Sequence, residues 1–308
     1  MFARSSSSHP TPRPSRRTFV KGLAIGGAAA SVGLLRQPAW AQSRQRQESA
    51  VLSGTEFDLR IGETEVNLTG AARKALTIND SLPGPLLRWR EGDTITLNVS
   101  NSLDEDTSIH WHGILLPANM DGVPGLSFSG IHPGQAYRYQ FAVKQSGTYW
   151  YHSHSGMQEA MGMYGAIVID PVGPDPVAYD REHVILLADW SFTHPHTILR
   201  KLKAQGGYYN MQKQTLAGRL AGKDMSAADR RMWAGMRMDP TDISDVTGST
   251  YHYLVNGHDS GANWTGLFAP GERVRLRIIN ASAMTNFNIR IPGLPMTDSP
   301  EIESRPPE

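Results

Sequence analysis

Two pairs of histidines, each spaced by one residue, are the part of this sequence best suited to chemistry. They are His110-Trp111-His112 and His152-Ser153-His154. On a β-strand, residues i and i+2 point to the same face, roughly 6.6–6.8 Å apart along the chain, whereas on a helix they diverge by about 200°. Each pair can therefore act together only on extended chain, and both lie in or beside strand-like sequence. Two such strands placed side by side would present four imidazoles to one place, which predicts a metal site.

Ligand type alone leaves the metal open, because imidazole suits copper, zinc, iron and nickel. A single buried histidine is most often a hydrogen-bonded core residue, but two pairs, each followed closely by glycine (Gly113 and Gly156), favour metal ligands. The chain contains no cysteine. This excludes from the sequence disulfides, thiolate nucleophiles, cysteine-ligated zinc or iron–sulfur sites, and any copper site that requires a thiolate.

Length and composition are those of a globular protein with two domains of ordinary size, since the chain has 308 residues and a net charge of +1. A net charge this close to zero argues against nucleic acid as a partner. The 30 glycines and 20 prolines are typical of a turn-rich β protein.

The first 41 residues predict a twin-arginine signal peptide. Arg16 and Arg17 precede an apolar, Gly/Ala-rich stretch at 22–35, and Ala39-Trp40-Ala41 supplies a cleavage site. The alternative is a short membrane anchor, but the stretch is shorter than the roughly 20 residues that a spanning helix needs. The sequence therefore predicts export by the twin-arginine translocation machinery, a periplasmic location, no stable membrane anchor and a flexible lead-in over residues 42–53.

From about residue 54, short alternating segments separated by Gly/Pro turns indicate an all-β fold, a sandwich or a barrel. The predicted strands lie at 57–61, 94–99, 137–143, 147–152, 165–169, 183–187, 251–257, 273–279 and 288–291.

These strands predict one domain over 54–172 and a second over 178–308, joined by a Gly/Pro linker. Residues 197–238 are rich in Lys, Arg, Met, Ala and Gln, so we expect a helical insertion within the second domain. The polar, proline-rich stretch after Met296 suggests that this second domain is incomplete.

Three longer motifs occur in a fixed order, and the first and third contain the histidine pairs. They are His110-Trp111-His112-Gly113, Met120-Asp121-Gly122-Val123-Pro124-Gly125 and Gly147-Thr148-Tyr149-Trp150-Tyr151-His152-Ser153-His154-Ser155. Together they resemble the first-domain signature of the multicopper oxidases. The amino-acid sequence at 114–119 and 268–277 is most similar to that of the bacterial copper-resistance members. The resemblance covers residues 54–296.

The resemblance implies cupredoxin-like domains and copper as the metal. It implies that His110 binds the type 2 copper, and that His112, His152 and His154 bind the type 3 pair. Asp121 matches an acidic residue that helps to deliver protons during dioxygen reduction, although the residue type before Gly122 also suits an ordinary turn. The implied reaction couples oxidation of Cu(I), Fe(II) or a phenol to reduction of O₂ to water.

The sequence also departs from the family pattern. The family's type 1 copper site requires a cysteine, and four further cluster histidines come from a later domain; this chain has neither. Half of the cluster ligands are therefore present, and enzymatic activity is uncertain. Two hypotheses stay open: the N-terminal portion of an exported oxidase, or a protein without enzymatic activity, which is either a copper-binding or sequestering protein or an inactive truncated remnant.

Two weaker features could also bind copper. His194-Pro195-His196 is a third His-X-His, although proline disrupts a strand ladder. Thioethers are soft ligands for Cu(I), yet most methionines serve in cores or on surfaces. The methionines in question are Met157, Met161, Met163, Met232, Met236 and Met238.

Overall fold

The structure is a computed structural model. It describes residues 50–125, 127–204, 208–209, 220–222, 226–236, 250–294 and 296–297. The predicted signal peptide, the lead-in up to residue 49 and the closing residues 298–308 lie outside the described residues. Within the described ranges, no helix is long and apolar enough to span a membrane.

Nine strands form two sheets that face each other as a sandwich, so the predicted all-β class is confirmed. The strands are β1 (Val51–Ser53), β2 (Glu56–Leu68), β3 (Ala71–Ile78), β4 (Leu86–Arg90), β5 (Thr94–Asn101), β6 (His110–His112), β7 (Ala136–Ala142), β8 (Gly147–His152) and β9 (Tyr164–Asp170). One sheet has the order β1-β4-β9-β8-β6 and the other has the order β3-β2-β5-β7.

The start of the fold differs from the sequence prediction. Residues 51–53, expected at the end of a flexible lead-in, form β1, which pairs in parallel with β4. The backbone N–H of Leu86 also donates to the Ala50 carbonyl at 2.9 Å. These ladder bonds hold the segment at the sheet edge, and a three-residue strand is too short to show a clear alternation in the sequence.

Alternation in the sequence places one face of each strand in the core. In β2, Phe57, Leu59 and Ile61 are buried while the intervening side chains are exposed. Strand β9 is instead buried almost throughout, because it is covered on both faces. Its residues Ile167 and Ile169 belong to the core between the two sheets, while Tyr164 and Ala166 belong to a second core shared with the following strands.

A three-stranded sheet follows, with the order β11-β10-β12. Its strands are β10 (Arg181–Trp190), β11 (His252–Val255) and β12 (Val274–Asn280), and the described residues between β10 and β11 include the helices α1 (Pro195–Ala204) and α2 (Ala227–Met236). Helices therefore occur where the insertion was predicted. Its remaining residues are described only at 208–209 and 220–222.

The predicted strand at 288–291 is wrong. The described chain there has no strand, and Ile289 is exposed. Although β11 and β12 are the outer strands of the three-stranded sheet, residues 288–291 pair with neither of them. The buried carboxylate of Asp189 on β10 also accepts the backbone N–H groups of Ala283 and Met284, which turns the chain after β12.

A partly buried ion-pair network joins the sandwich to the three-stranded sheet. Arg88 on β4 forms a bidentate pair with Asp170 at 2.6 and 2.7 Å and also donates to Glu182 on β10 at 3.1 Å. Arg277 on β12 donates to the other oxygen of Glu182 at 2.6 Å and to Thr148 on β8 at 2.9 Å. The side chains of Glu182 and Arg277 are only 10% and 3% exposed. One carboxylate thus holds guanidinium groups from both sides of the interface.

Replacement of this carboxylate should destabilise the fold. We expect Glu182→Gln to lower the free energy of unfolding by roughly 3 kcal/mol, because breaking a buried pair leaves an uncompensated charge. Denaturant unfolding of the variant and the wild type measures this loss. The matched control is Glu272→Gln, which removes the exposed pair with Arg181 at 2.7 Å. Its effect should be much smaller, since water solvates the freed guanidinium. Equal losses in the two variants would contradict this account of the interface.

Candidate metal centre

Strand pairing brings the two histidine pairs together. Strands β6 and β8 are antiparallel neighbours, with His110 opposite His152 and His112 opposite Trp150. His154 follows directly after β8. The ring centroid of His110 lies 5.6 Å from that of His112, 5.4 Å from that of His152 and 4.9 Å from that of His154. The four predicted ligands therefore form one cluster of imidazoles.

Three of these residues meet the geometric requirement for a shared metal ion. His110, His112 and His152 each offer a ring nitrogen, and these atoms all lie within 4.8 Å of one another. Among the residues that the structure describes, no other group of three or more histidine, cysteine, aspartate or glutamate side chains has this geometry. His152 is buried, His110 is half-buried, and His112 and His154 are exposed, so the cluster opens to one side.

Hydrogen bonds select which ring nitrogen faces the centre. Nδ1 of His110 lies 2.9 Å from the backbone oxygen of Asp121, and Nδ1 of His152 lies 3.0 Å from that of Ser153. A carbonyl oxygen only accepts, so both Nδ1 atoms carry the proton and donate it, which leaves each Nε2 as the free ligand atom. His112 is turned the other way, because its Nδ1 lies 3.2 Å from Nε2 of His152.

The surroundings favour neutral imidazoles. Burial lowers the pKa of His112, and the neighbouring imidazoles of His152 and His110 lower it further. The pKa of His154 is lowered for the same reasons, first by burial and then by His110 and His152. Since metals bind the deprotonated ring nitrogen, this environment prepares both side chains for a metal ion.

Aromatic residues beside the ligands pack on both faces of the two strands. Trp111 and Tyr151 are fully buried on the opposite face. Tyr151 donates from its hydroxyl to the Pro85 carbonyl at 2.7 Å, and burial raises its pKa. Trp150 lies on the ligand side, where its ring stacks on His152 at 4.1 Å and 15° and on His112 at 4.9 Å and 27°.

Asp121 lies beside the cluster. Its carboxylate Oδ1 is 3.3 Å from Nδ1 of His110, and its side chain is 38% exposed. The residue ends the short 3-10 turn Ala118–Met120, and Gly122 follows with a φ of 73°. A Cβ on Gly122 would lie 1.7 Å from the carbonyl oxygen of Ile109, so only glycine allows the chain to pass this close to β6.

Sequence reasoning missed two groups of residues around the cluster. Glu159 places a carboxylate oxygen 2.7 Å from Nδ1 of His152. Gly84 and Gly165 form a slot for the Tyr151 phenol, since a Cβ on Gly165 would lie 2.3 Å from it. Proximity to His154 in the chain was the sole sequence signal for Glu159, while no local pattern marks the glycines.

Two of the candidate methionines and the third His-X-His pair have other contacts. Met163 is fully buried and Met161 packs against the core, which is the ordinary role of methionine. The rings of His194 and His196 stack 5.4 Å apart at 14°, and the backbone N–H of His196 donates to Nδ1 of His194. The described residues add no third metal-binding side chain to that pair. Met238 lies outside the described residues.

Comparison with known proteins identifies the class to which this fold and site belong. Two family models, both described as multicopper oxidase, match residues 60–173 and 181–297. The chain belongs to the multicopper oxidase family, whose members bind copper. The fold is also that of this family. The chain is similar to a solved multi-copper oxidase from Pseudomonas thermotolerans, with a TM-score of 0.56 and 25% sequence identity. The match covers 79% of this chain and 50% of that one. It is also similar to the blue copper oxidase from Nitrosomonas europaea, with a TM-score of 0.53 and 26% identity over 75% of this chain and 62% of that one.

Within that family, the chain is similar to curated proteins named copper resistance protein A. It is 60% identical over 290 residues to the protein of that name from Escherichia coli, covering 92% of this chain and 48% of that protein. It is 59% identical over 290 residues to a copper resistance protein A homolog from Pseudomonas syringae pv. tomato, covering 92% of this chain and 49% of that protein. The chain spans about half the length of these relatives.

Proposed function

We propose that this chain is the copper-binding N-terminal portion of an exported multicopper oxidase of the copper-resistance type. His110 would bind the type 2 copper, and His112, His152 and His154 would bind the type 3 pair. The observation that carries the proposal is the mutual approach of three imidazole nitrogens, all within 4.8 Å. The family membership and the similarity to proteins named copper resistance protein A support copper as the metal.

The donor set fits copper chemically. Imidazole supports both Cu(I) and Cu(II), and divalent copper binds nitrogen sites more tightly than zinc does. Copper bound here would supply one-electron redox chemistry. The chain's own part is to hold the ligands: the Asp121 and Ser153 carbonyls orient His110 and His152, and Trp150 covers the rings of His112 and His152.

For the whole oxidase, we propose oxidation of Cu(I), Fe(II) or a phenol coupled to reduction of O₂ to water. Asp121 would hold a proton at its carboxylate and supply it to this reaction. Its half-exposed side chain next to His110 supports that role, because the carboxylate can exchange protons with water while it faces the cluster.

The proposal includes export and domain organisation. Residues 1–41 would direct twin-arginine export to the periplasm, and two domains would occupy 54–172 and 178–308. The matches of the two multicopper oxidase models to 60–173 and 181–297 support that division. Twin-arginine export suits a protein that folds around its cofactor before it crosses the membrane.

Copper titration of the purified chain against a competing chelator tests the site. We expect the wild type to bind Cu(II) and His152→Ala to weaken binding by more than the roughly 10–100-fold that loss of an outer-shell partner costs. His132→Ala is the control, because His132 is an exposed histidine that pairs with Asp106 at 2.8 Å. Equal affinity in the His152 and His132 variants would contradict the proposed site.

A second candidate is a copper-binding or sequestering protein without turnover, and the absence of cysteine from the sequence favours it. The type 1 copper that admits electrons in this family needs a thiolate ligand. We therefore expect the copper-loaded 308-residue chain to show no intense blue absorption and no O₂ uptake with phenolic, ferrous or cuprous substrates. Absorption spectroscopy and an oxygen electrode measure both. A blue band with O₂ uptake would overturn this second candidate.

A further inference from the structure

A carboxylate that the resemblance does not include lies against the most buried ligand. Oε2 of Glu159 is 2.7 Å from Nδ1 of His152, on the side of the ring that faces away from the centre. The side chains of His152 and Glu159 are 7% and 27% exposed, so water screens this contact only partly. Metal-bound histidines commonly donate their second ring N–H to a carboxylate, which fixes the ring and makes the ligand nitrogen more basic.

We propose that Glu159 is a positioning residue of the copper site: its carboxylate, 2.7 Å from Nδ1 of His152, attracts the N–H that the Ser153 carbonyl accepts and so directs Nε2 toward the metal. This inference rests on the proposed copper site. Glu159 acts through His152 and does not itself bind the metal.

The ring of His152 needs this contact because stacking alone leaves its orientation ambiguous. Trp150 lies nearly parallel to it, at 15° and 4.1 Å, and so fixes the plane of the ring. A half-turn about the Cβ–Cγ bond keeps that plane but exchanges the ring edges and points Nε2 elsewhere. The Ser153 carbonyl, at 3.0 Å, and the Glu159 carboxylate together favour one of the two orientations.

Glu159 is held in place by its neighbour in the chain. Gln158 is 3% exposed. Its Oε1 accepts hydrogen bonds from the hydroxyls of Thr107 at 2.7 Å and Ser153 at 2.8 Å, and its Nε2 donates to Glu105 at 2.8 Å and to the Asp106 carbonyl at 2.9 Å. The amide therefore uses both acceptor positions and both donors. This network ties the 3-10 turn Glu159–Met161 to the segment before β6.

The other end of the same turn is equally constrained. Gly162 closes it with a φ of 116°, and a Cβ there would lie 2.8 Å from the Leu76 carbonyl oxygen and 2.8 Å from Leu82. The backbone thus packs directly on β3 and the loop that follows it. A carboxylate on a turn fixed at both ends is preorganised for His152, so little ordering is needed when a metal binds.

The test compares Glu159→Ala and Glu159→Gln with the wild type by Cu(II) affinity and by the electron paramagnetic resonance spectrum of the bound Cu(II). We expect Glu159→Ala to weaken binding about tenfold, the lower end for an outer-shell partner, because the Ser153 carbonyl remains. We also expect its copper hyperfine coupling to change. Glu159→Gln keeps an oxygen acceptor but loses the charge, so it should recover part of the affinity. The control is Glu65→Ala, an exposed carboxylate on β2.

The outcomes separate this inference from the copper site itself. If Glu159→Ala and Glu159→Gln both match the wild type in affinity and spectrum while His152→Ala loses copper, Glu159 has no positioning role. If His152→Ala also leaves binding intact, the copper site is wrong. Thermal unfolding of the metal-free variants checks folding, and if Glu159→Ala does not fold, a wild-type spectrum and affinity in Glu159→Gln would overturn the inference.

Discussion

The antiparallel ladder between β6 and β8 places His110 directly opposite His152, and the rest of the site depends on that register. Because side chains alternate across a strand, a slip of one residue would turn His110 and His112 into the core and Trp111 toward solvent. Packing on the core face of β6 and β8 fixes this register. Trp111 and Tyr151 face each other across the ladder in the core, and Tyr151 occupies a slot between Gly84 and Gly165 with its hydroxyl bonded to a backbone carbonyl. The core thus specifies which side chains reach the metal.

Strand β8 also connects the site to the three-stranded sheet. On one face Tyr151 packs in the core of the sandwich, and on the other Trp150 packs against the second core while stacking on two of the imidazoles. Thr148, near the start of the same strand, receives a hydrogen bond from Arg277 of β12. The strand that carries His152 is therefore fixed by apolar packing and by the ion-pair network that crosses the interface. This arrangement explains how a small cluster open to solvent on one side keeps its geometry.

Much of this could be predicted from the sequence, because its strongest signals are periodic. The two-residue repeat assigned the histidines to one face and Trp111 to the other, and most strands lie where alternation and turns indicated. Pairing between distant segments is not encoded in a local pattern and was missed: β1 depends on a neighbour distant in the chain, and residues 288–291 alternate like a strand but pair with no strand of the three-stranded sheet. Glu159 and Gly165 act through packing and hydrogen bonds formed only after the strands assemble, so their residue types carry no signal by themselves.

The central claim is that the imidazoles of His110, His112 and His152 bind copper. The most direct measurement is a crystal structure of the copper-loaded chain with diffraction data recorded on both sides of the copper absorption edge. The account predicts anomalous difference peaks at this cluster, one within bonding distance of Nε2 of His110 and others within bonding distance of Nε2 of His152 and Nδ1 of His112. A chain fully occupied with copper whose anomalous peaks lie elsewhere, at the stacked His194 and His196 or at exposed methionines, would contradict it.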